Sequence, residues 1–263
     1  MKTILITGAT DGIGRLATQK LAALGHRILA HGRDQKKLES LTNTTVGQIE
    51  PWLADLANLS DLRGMCRQIL QQHERLDAVV NNAGVLKAPA TQTITNRDIR
   101  FEVNTIAPYL ITRELLPIID TQGVILNISS AAQDPVDLEA LEQFRAMDDM
   151  EAYAQSKLAM TAWSRYVANE LSNGPSVISV NPGSLLATKM VKEGFGIEGK
   201  DLNIGADILV RLMTDPVGSQ RTGEYFDNDA GDFGSPHSAV IDDAFGRRLI
   251  ASLDSIIDKI EPE

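Results

Sequence analysis

Seven short β-branched or apolar runs, "KTILIT", "HRILAH", "EPWLA", "LDAVVNN", "GVILNIS", "SVISVNP" and "GEYFDN", punctuate the chain, and most are followed by a segment with helical apolar spacing. A strand that leads into a helix cannot pair with its successor as a hairpin. The alternation therefore predicts an α/β fold: a doubly wound parallel sheet of about seven strands, with right-handed crossovers placing helices on both faces. The 263 residues, 43% of them hydrophobic, contain no Pro/Ser-rich linker and no low-complexity tract, so a single domain over 1–263 is expected. Two stretches fall outside the alternation, near 134–150 and 185–202, and are expected as insertions above the sheet edge, over the active site.

Composition narrows the function classes. A formal charge of −10 with 5% aromatic residues would repel a phosphate backbone, so no nucleic-acid partner is expected. "TILITGAT" is too short an apolar run for a secretory signal and no stretch approaches 18 apolar residues, which predicts a soluble, cytoplasmic chain without membrane attachment. Cys66 is the sole cysteine, and His26, His31, His73 and His237 are scattered, so neither disulfide nor metal is predicted. The terminal "GRRLIASLDSIIDKI" has apolar residues at helical spacing and is expected to pack on the body.

The first strand runs into "TGATDGIGR", which places Gly8, Gly12 and Gly14 at a strand-to-helix turn. Glycine allows positive φ and close backbone approach there, and the helix offers its N-terminal N–H groups to a pyrophosphate. Farther along, Tyr153 and Lys157 stand four apart on a predicted helix and so share one face. A carbonyl reductase must protonate a developing alkoxide; a phenol of ordinary pKa is a poor donor or base at neutral pH, so the Lys157 ammonium is expected to lower the Tyr153 pKa. A hydroxyl to hold the substrate oxygen is expected at the end of "GVILNISS", where Ser129 and Ser130 point opposite ways in an alternating strand.

These motifs, with Ala54-Asp55-Leu56 after the third strand and "NNAG" (Asn81 to Gly84) after the fourth, resemble in order and placement the short-chain dehydrogenase/reductase family, from Lys2 to about Phe226. The resemblance implies a Rossmann-like fold and a nicotinamide cofactor. It assigns cofactor contacts to Gly8, Thr10, Asp11, Gly12, Ile13 and Gly14 of the first turn and to Asp55, Leu56, Asn82, Ala83 and Gly84. Tyr153, Lys157, Pro182, Gly183 and Thr188 would complete them. Asp55 could equally cap a helix, and the asparagines could simply make a turn. The resemblance places Gly32 where NAD-dependent members carry an acid and Arg33 where NADP-dependent members carry a base. That favours NADP(H), with NAD(H) as the alternative. Asp34 lies 20 residues after Gly14, near the spacing expected of a ribose-binding acid, but is also placed to cap the helix "QKKLESL".

The family also assigns catalysis to Ser130, Tyr153 and Lys157, with Asn104 holding a water on the proton path. Asn104 otherwise reads as a polar residue capping or kinking its helix. Leu185 and Leu186 make the following loop apolar, suggesting an apolar carbonyl or alcohol substrate, and the residues through "VKEGFGIEGK" would form a lid. The family often forms dimers or tetramers through the helices of Asn104 and Tyr153, so a homodimer or homotetramer is an expectation here. The chain departs from many members in the 22 residues between Ser130 and Tyr153, seven of them acidic and matched within the interval by Arg145 alone. The interval reads as a solvated helix or as a rim that repels anionic substrates, and it resembles most the subset of retinol-dehydrogenase-type enzymes. A dinucleotide-binding regulator without chemistry is the alternative function. A nucleotide-sugar epimerase fits less well, since those resemble T-G-x-x-G-x-x-G.

Overall fold

A computed structural model describes residues 1–215 and 220–260. Strands β1 (Thr3–Ile6), β2 (Arg27–Gly32), β3 (Gln48–Leu53), β4 (Leu76–Asn81), β5 (Ile119–Ile128), β6 (Ser176–Asn181), β7 (Tyr225–Asp227) and β8 (Asp232–Gly234) form one sheet in the order β3-β2-β1-β4-β5-β6-β7-β8. The first seven strands pair in parallel and β8 runs antiparallel at the edge. The sheet thus has eight strands where the sequence pattern predicts about seven. The extra one arises because Gly231, at φ 78°, turns the chain back after β7, its N–H donating to the Asp227 carbonyl at 2.8 Å.

The helices are α1 (Gly12–Ala23), α2 (Gln35–Thr44), α3 (Leu59–Gln72), α4 (Ile99–Phe101), α5 (Ala107–Leu115), α6 (Leu138–Glu142), α7 (Asp149–Glu170), α8 (Lys189–Phe195), α9 (Asn203–Thr214) and α10 (Asp243–Asp258). Central strands are covered on both sides, so they read as continuous apolar runs. Alternate side chains divide between two cores. Leu5, Leu29, Val79, Ile125 and Val177 pack with Leu110, Trp163 and α10 on one face. Ile4, Ile6, Ile28, Val80, Leu126 and Ile178 pack with α1 and α9 on the other.

The terminal helix packs on the body as its spacing predicts. Phe245, Leu249, Leu253, Ile256 and Ile257 of α10 are buried against the α7 side, and Tyr109 of α5 donates its hydroxyl to Asp254 at 2.6 Å. Arg63 of α3 donates to the Ile257 and Ile260 carbonyls at 3.0 and 2.6 Å, satisfying groups that a helix end leaves open. No described helix is long and apolar enough to cross a membrane.

The acidic interval is anchored by its acids. Asp137 caps α6, Asp148 caps α7, Asp137 and Glu139 pair with Arg145, and Glu142 accepts from Ser252 of α10. Asp149 pairs with Arg100, which lies outside the interval, so Arg145 is not its sole counter-charge. Ala140 and Leu141 enter the core beside α10. The short helix is therefore docked on the body and not free in solvent.

Candidate active site

Three crossover turns meet at the C-terminal edge of the strands. Gly8 and Gly12 take φ of 65° and 51°. A Cβ on Gly14 would lie 2.4 Å from both Asn82 Nδ2 and the Gly8 carbonyl, whereas one on Gly12 would meet nothing nearer than Thr188 Cγ2 at 3.7 Å. Gly14 is thus required by packing, and Gly12 leaves an open face before the first turn of α1. Asn82 Nδ2 donates to the Thr7 and Gly8 carbonyls at 2.9 and 3.3 Å, binding the fourth-strand turn to the glycine turn. His31 joins in from β2: Nδ1 accepts from Gly8 N–H at 3.3 Å and Nε2 faces the Ala54 carbonyl at 3.0 Å. Only a neutral ring donating from Nε2 serves both partners, and burial lowers its pKa to about 4.

Asp11 caps α1 and pairs with Lys37 of α2 at 3.0 Å. Burial opposes its ionisation, but hydrogen bonds from Lys37 and the Gly12 N–H outweigh that and hold the carboxyl below the usual range. Asp34 caps α2, accepting from Lys37 N–H at 3.1 Å. Arg33 is exposed, and its side chain makes no hydrogen bond or ion pair with any described residue. A Cβ on Gly32 would stand 2.7 Å from the Thr10 methyl. Asp55 is exposed and turns its own loop by accepting from Ala57 N–H at 3.0 Å; the cap of α3 is Asn58. Leu56 is buried.

At the other end, β5 delivers the two serines to opposite sides. Ser129 is buried and bonds Thr161 and the Lys157 carbonyl at 2.6 and 3.2 Å, which makes it a packing residue of α7. Ser130 is partly exposed and its hydroxyl lies close enough to Tyr153 to favour the ionised phenol. Burial nonetheless raises the Tyr153 pKa, with the Ser130 hydroxyl opposing. Lys157 Nζ donates to the Ile128 carbonyl at 2.7 Å and lies 5.6 Å from the Tyr153 ring centroid. Burial brings its own pKa down to about 7. The expected lowering of the Tyr153 pKa by Lys157 is not what this geometry gives. The amine is itself desolvated and turned to a carbonyl, and Tyr153 shifts upward.

Asn104 sits in a π turn, Glu102–Ile106, between α4 and α5. Its Oδ1 accepts from Val85 N–H at 2.8 Å, and its Nδ2 donates to the Val85 carbonyl and Ser156 Oγ at 2.9 and 3.0 Å. With both amide hydrogens engaged, Asn104 offers only an Oδ1 lone pair to any further partner. Gly84 lies where Asn104 and Lys157 converge, and a Cβ there would be 3.3 Å from Asn104 Oδ1 and 3.4 Å from Lys157 Nζ.

After β6, Gly183 takes φ 119°, and Asn228 Nδ2 donates to the Pro182 carbonyl at 2.9 Å. Thr188 caps α8, its hydroxyl accepting from Val191 N–H at 3.1 Å while its methyl faces Gly12. Leu185 is exposed at φ 56°, but Leu186 is buried against Ile13 and Gly205, so only one of the pair is free to form a substrate wall.

A sequence profile described as short chain dehydrogenase matches residues 2–196. The chain belongs to that family. Among short-chain dehydrogenase relatives, retinol dehydrogenase 13 of Mus musculus is 32% identical over 193 residues, covering 69% of this chain and 58% of its own length. Retinol dehydrogenase 14 of Mus musculus is 30% identical over 235 residues, covering 82% and 66%. The chain thus spans less than two thirds of these relatives. A short-chain dehydrogenase of Penicillium rubens is 29% identical over 232 residues, with 86% of each chain covered. A crystal structure of an uncharacterized Mycobacterium Paratuberculosis protein superposes with TM-score 0.83 at 22% identity, over 100% of this chain and 96% of that one. A Serratia marcescens short-chain dehydrogenase/reductase double mutant gives 0.68 at 24%, over 86% and 95%. Both share the fold.

Short-chain dehydrogenases use nicotinamide cofactors, and the residues present fit one: the open face at Gly12 before the α1 N-terminus suits a pyrophosphate. Two contributors were not singled out from sequence. Thr7 Oγ1 accepts from the N–H groups of both Asn82 and Ala83 at 3.0 Å, and the pattern around Gly8 could have pointed to it. In the sequence His31 reads only as one of four scattered histidines.

Proposed function

We propose that the chain is an NADP(H)-dependent carbonyl reductase or alcohol dehydrogenase acting on an apolar substrate. The observation that carries this reading is the approach of Ser130 to Tyr153, with 22 residues between them in the chain, on the side of the sheet where the glycine turn opens. The nicotinamide supplies or accepts the hydride. Ser130 holds the substrate oxygen, and Tyr153, kept protonated by burial, donates to that oxygen as charge develops on it. Lys157, with a pKa of about 7, is close to half-protonated at neutral pH and can restore the Tyr153 proton. Asn104 fixes the loop at Val85 against α7 through Ser156, and its remaining lone pair can hold a water behind the lysine.

Arg33 supports the choice of NADP(H): it is an exposed guanidinium without a described partner at the end of β2, suited to a 2′-phosphate. Asp34, the competing acid, is engaged as the α2 cap, and a longer side chain at Gly32 would press on Thr10. Exposed Leu185, Phe195 and Ile197 along the α8 segment fit an apolar substrate, as do the retinol dehydrogenases among the relatives. The test is NADPH oxidation against aldehydes, ketones and quinones, with Tyr153→Phe expected to abolish it. Equal affinity of Arg33→Ala and wild type for NADPH would overturn the cofactor assignment.

A further inference from the structure

Ser130 leaves the sheet just past β5. Ser129 N–H still donates to the Val180 carbonyl at 2.8 Å, but the Ser130 carbonyl has no strand beside it. A buried or half-buried carbonyl is costly to leave unpaired. Two side chains take it instead: Tyr225 Oη donates at 3.1 Å and Gln133 Nε2 at 3.0 Å. Tyr225 is only 6% exposed and is fixed by β7, where it pairs in register with Ser179. Burial pushes its phenol up, so it stays a donor. Gln133 begins the long interval, and its orientation is dictated, since exchanging the amide atoms would set oxygen against oxygen.

Resting on the proposed roles of Ser130 and Tyr153, we infer that Tyr225 and Gln133 are positioning residues that brace the Ser130 carbonyl from two directions and so aim its hydroxyl at Tyr153. Two donors occupy both lone pairs of one carbonyl and fix the plane of the 130–131 peptide. The Cα–Cβ bond of Ser130 projects from that plane. Its hydroxyl is further held by the Ala132 N–H, which donates to Oγ at 3.1 Å. One donor comes from β7 and the other from the start of the interval, so the aim of Ser130 depends on two parts of the chain that carry no reacting group.

The test is a double-mutant cycle of Tyr225→Phe and Gln133→Leu, each alone and in a Ser130→Ala background, with kcat, KM and thermal midpoint measured for all. Each single variant should lower kcat by about 3- to 10-fold, the worth of one hydrogen bond, with KM for NADPH unchanged. In the Ser130→Ala background the same substitutions should cost nothing further, because the hydroxyl they aim is gone. A merely structural role would lower the thermal midpoint and multiply through both backgrounds, which would overturn the brace. Unchanged kcat in both single variants would overturn it too. If Ser130→Ala itself turns over at the wild-type rate, the role proposed for Ser130 fails first, and the brace with it.

Discussion

Arg100 and Asp149 meet at 2.7 Å, and through that contact the short helix before Asn104 holds the first turn of the helix that carries Tyr153 and Lys157. The guanidinium is fully buried and also pairs with Asp98, Nη2 donating to Oδ2 at 2.7 Å and Nε lying 2.7 Å from Oδ1. Arg100→Met should destabilise the protein by about 3–5 kcal/mol in urea unfolding, because Asp98, 1% exposed, would be left as an unpaired buried charge. Asp149→Asn should cost only about 1 kcal/mol, since that side chain is 37% exposed. Equal losses would mean that the pair, and not the buried Asp98, carries the effect.

Gly14→Ala places a methyl against a backbone carbonyl that cannot swing away. The expected result is about 1–3 kcal/mol of lost stability together with weaker NADPH binding, because Gly8 must shift to make room. Fluorescence titration and urea unfolding on the same samples separate the two effects.

His31 gives a pH signature. Its folded pKa of about 4 lies below the ordinary 6.5, so the unfolded chain binds the proton first as pH falls. The contribution is complete above about pH 6.5 and is lost as pH falls toward 4, by about 3 kcal/mol in all. His31→Gln should flatten that part of the stability profile relative to wild type.

Lys157 has the same sign in another window. Its pKa falls from 10.5 to about 7 on burial, so stability should rise with pH between those values as the unfolded chain loses the proton that the folded one has already released. Lys157→Met should lack that rise, melt higher at pH 7, and be inactive, a trade of activity for stability. A lower melting temperature for the variant would show that the bond to the Ile128 carbonyl outweighs the desolvation.

Deleting Val136 to Met147 separates a selective rim from a packed support. With Ala140 and Leu141 in the core, the expected outcome is a lower melting temperature and a parallel loss of turnover on all substrates. A variant that melts normally and changes only its substrate preference would restore the rim.

Much of this was legible because it is local. The strand runs, the glycine turn, the Asp34 cap and the pairing of Tyr153 with Lys157 each depend on residues within a few positions of one another. Alternation in β5 gave the serines opposite faces, and the family resemblance selected Ser130. What stayed hidden depends on distant partners. Arg100 answers Asp149 from 49 residues away, and His31 on β2 joins the turns that follow β1 and β3. Asn58 and Asp55 are both plausible caps by type, and only the path of the chain decides between them. The pKa shifts were hidden for the same reason, since Lys157 is lowered by the depth of its surroundings and not by a neighbour in sequence.

The placement of α10 bears on how the protein is made. It follows every other described helix in the chain, yet it covers apolar surface on the side of α7, where Trp163 and Val167 lie. During synthesis the helix that carries Tyr153 must therefore wait, one side bare, until α10 has emerged from the ribosome. Over that interval the nascent chain is exposed to misassociation and to chaperone capture, and a ribosome stalled before residue 243 would leave it in that state.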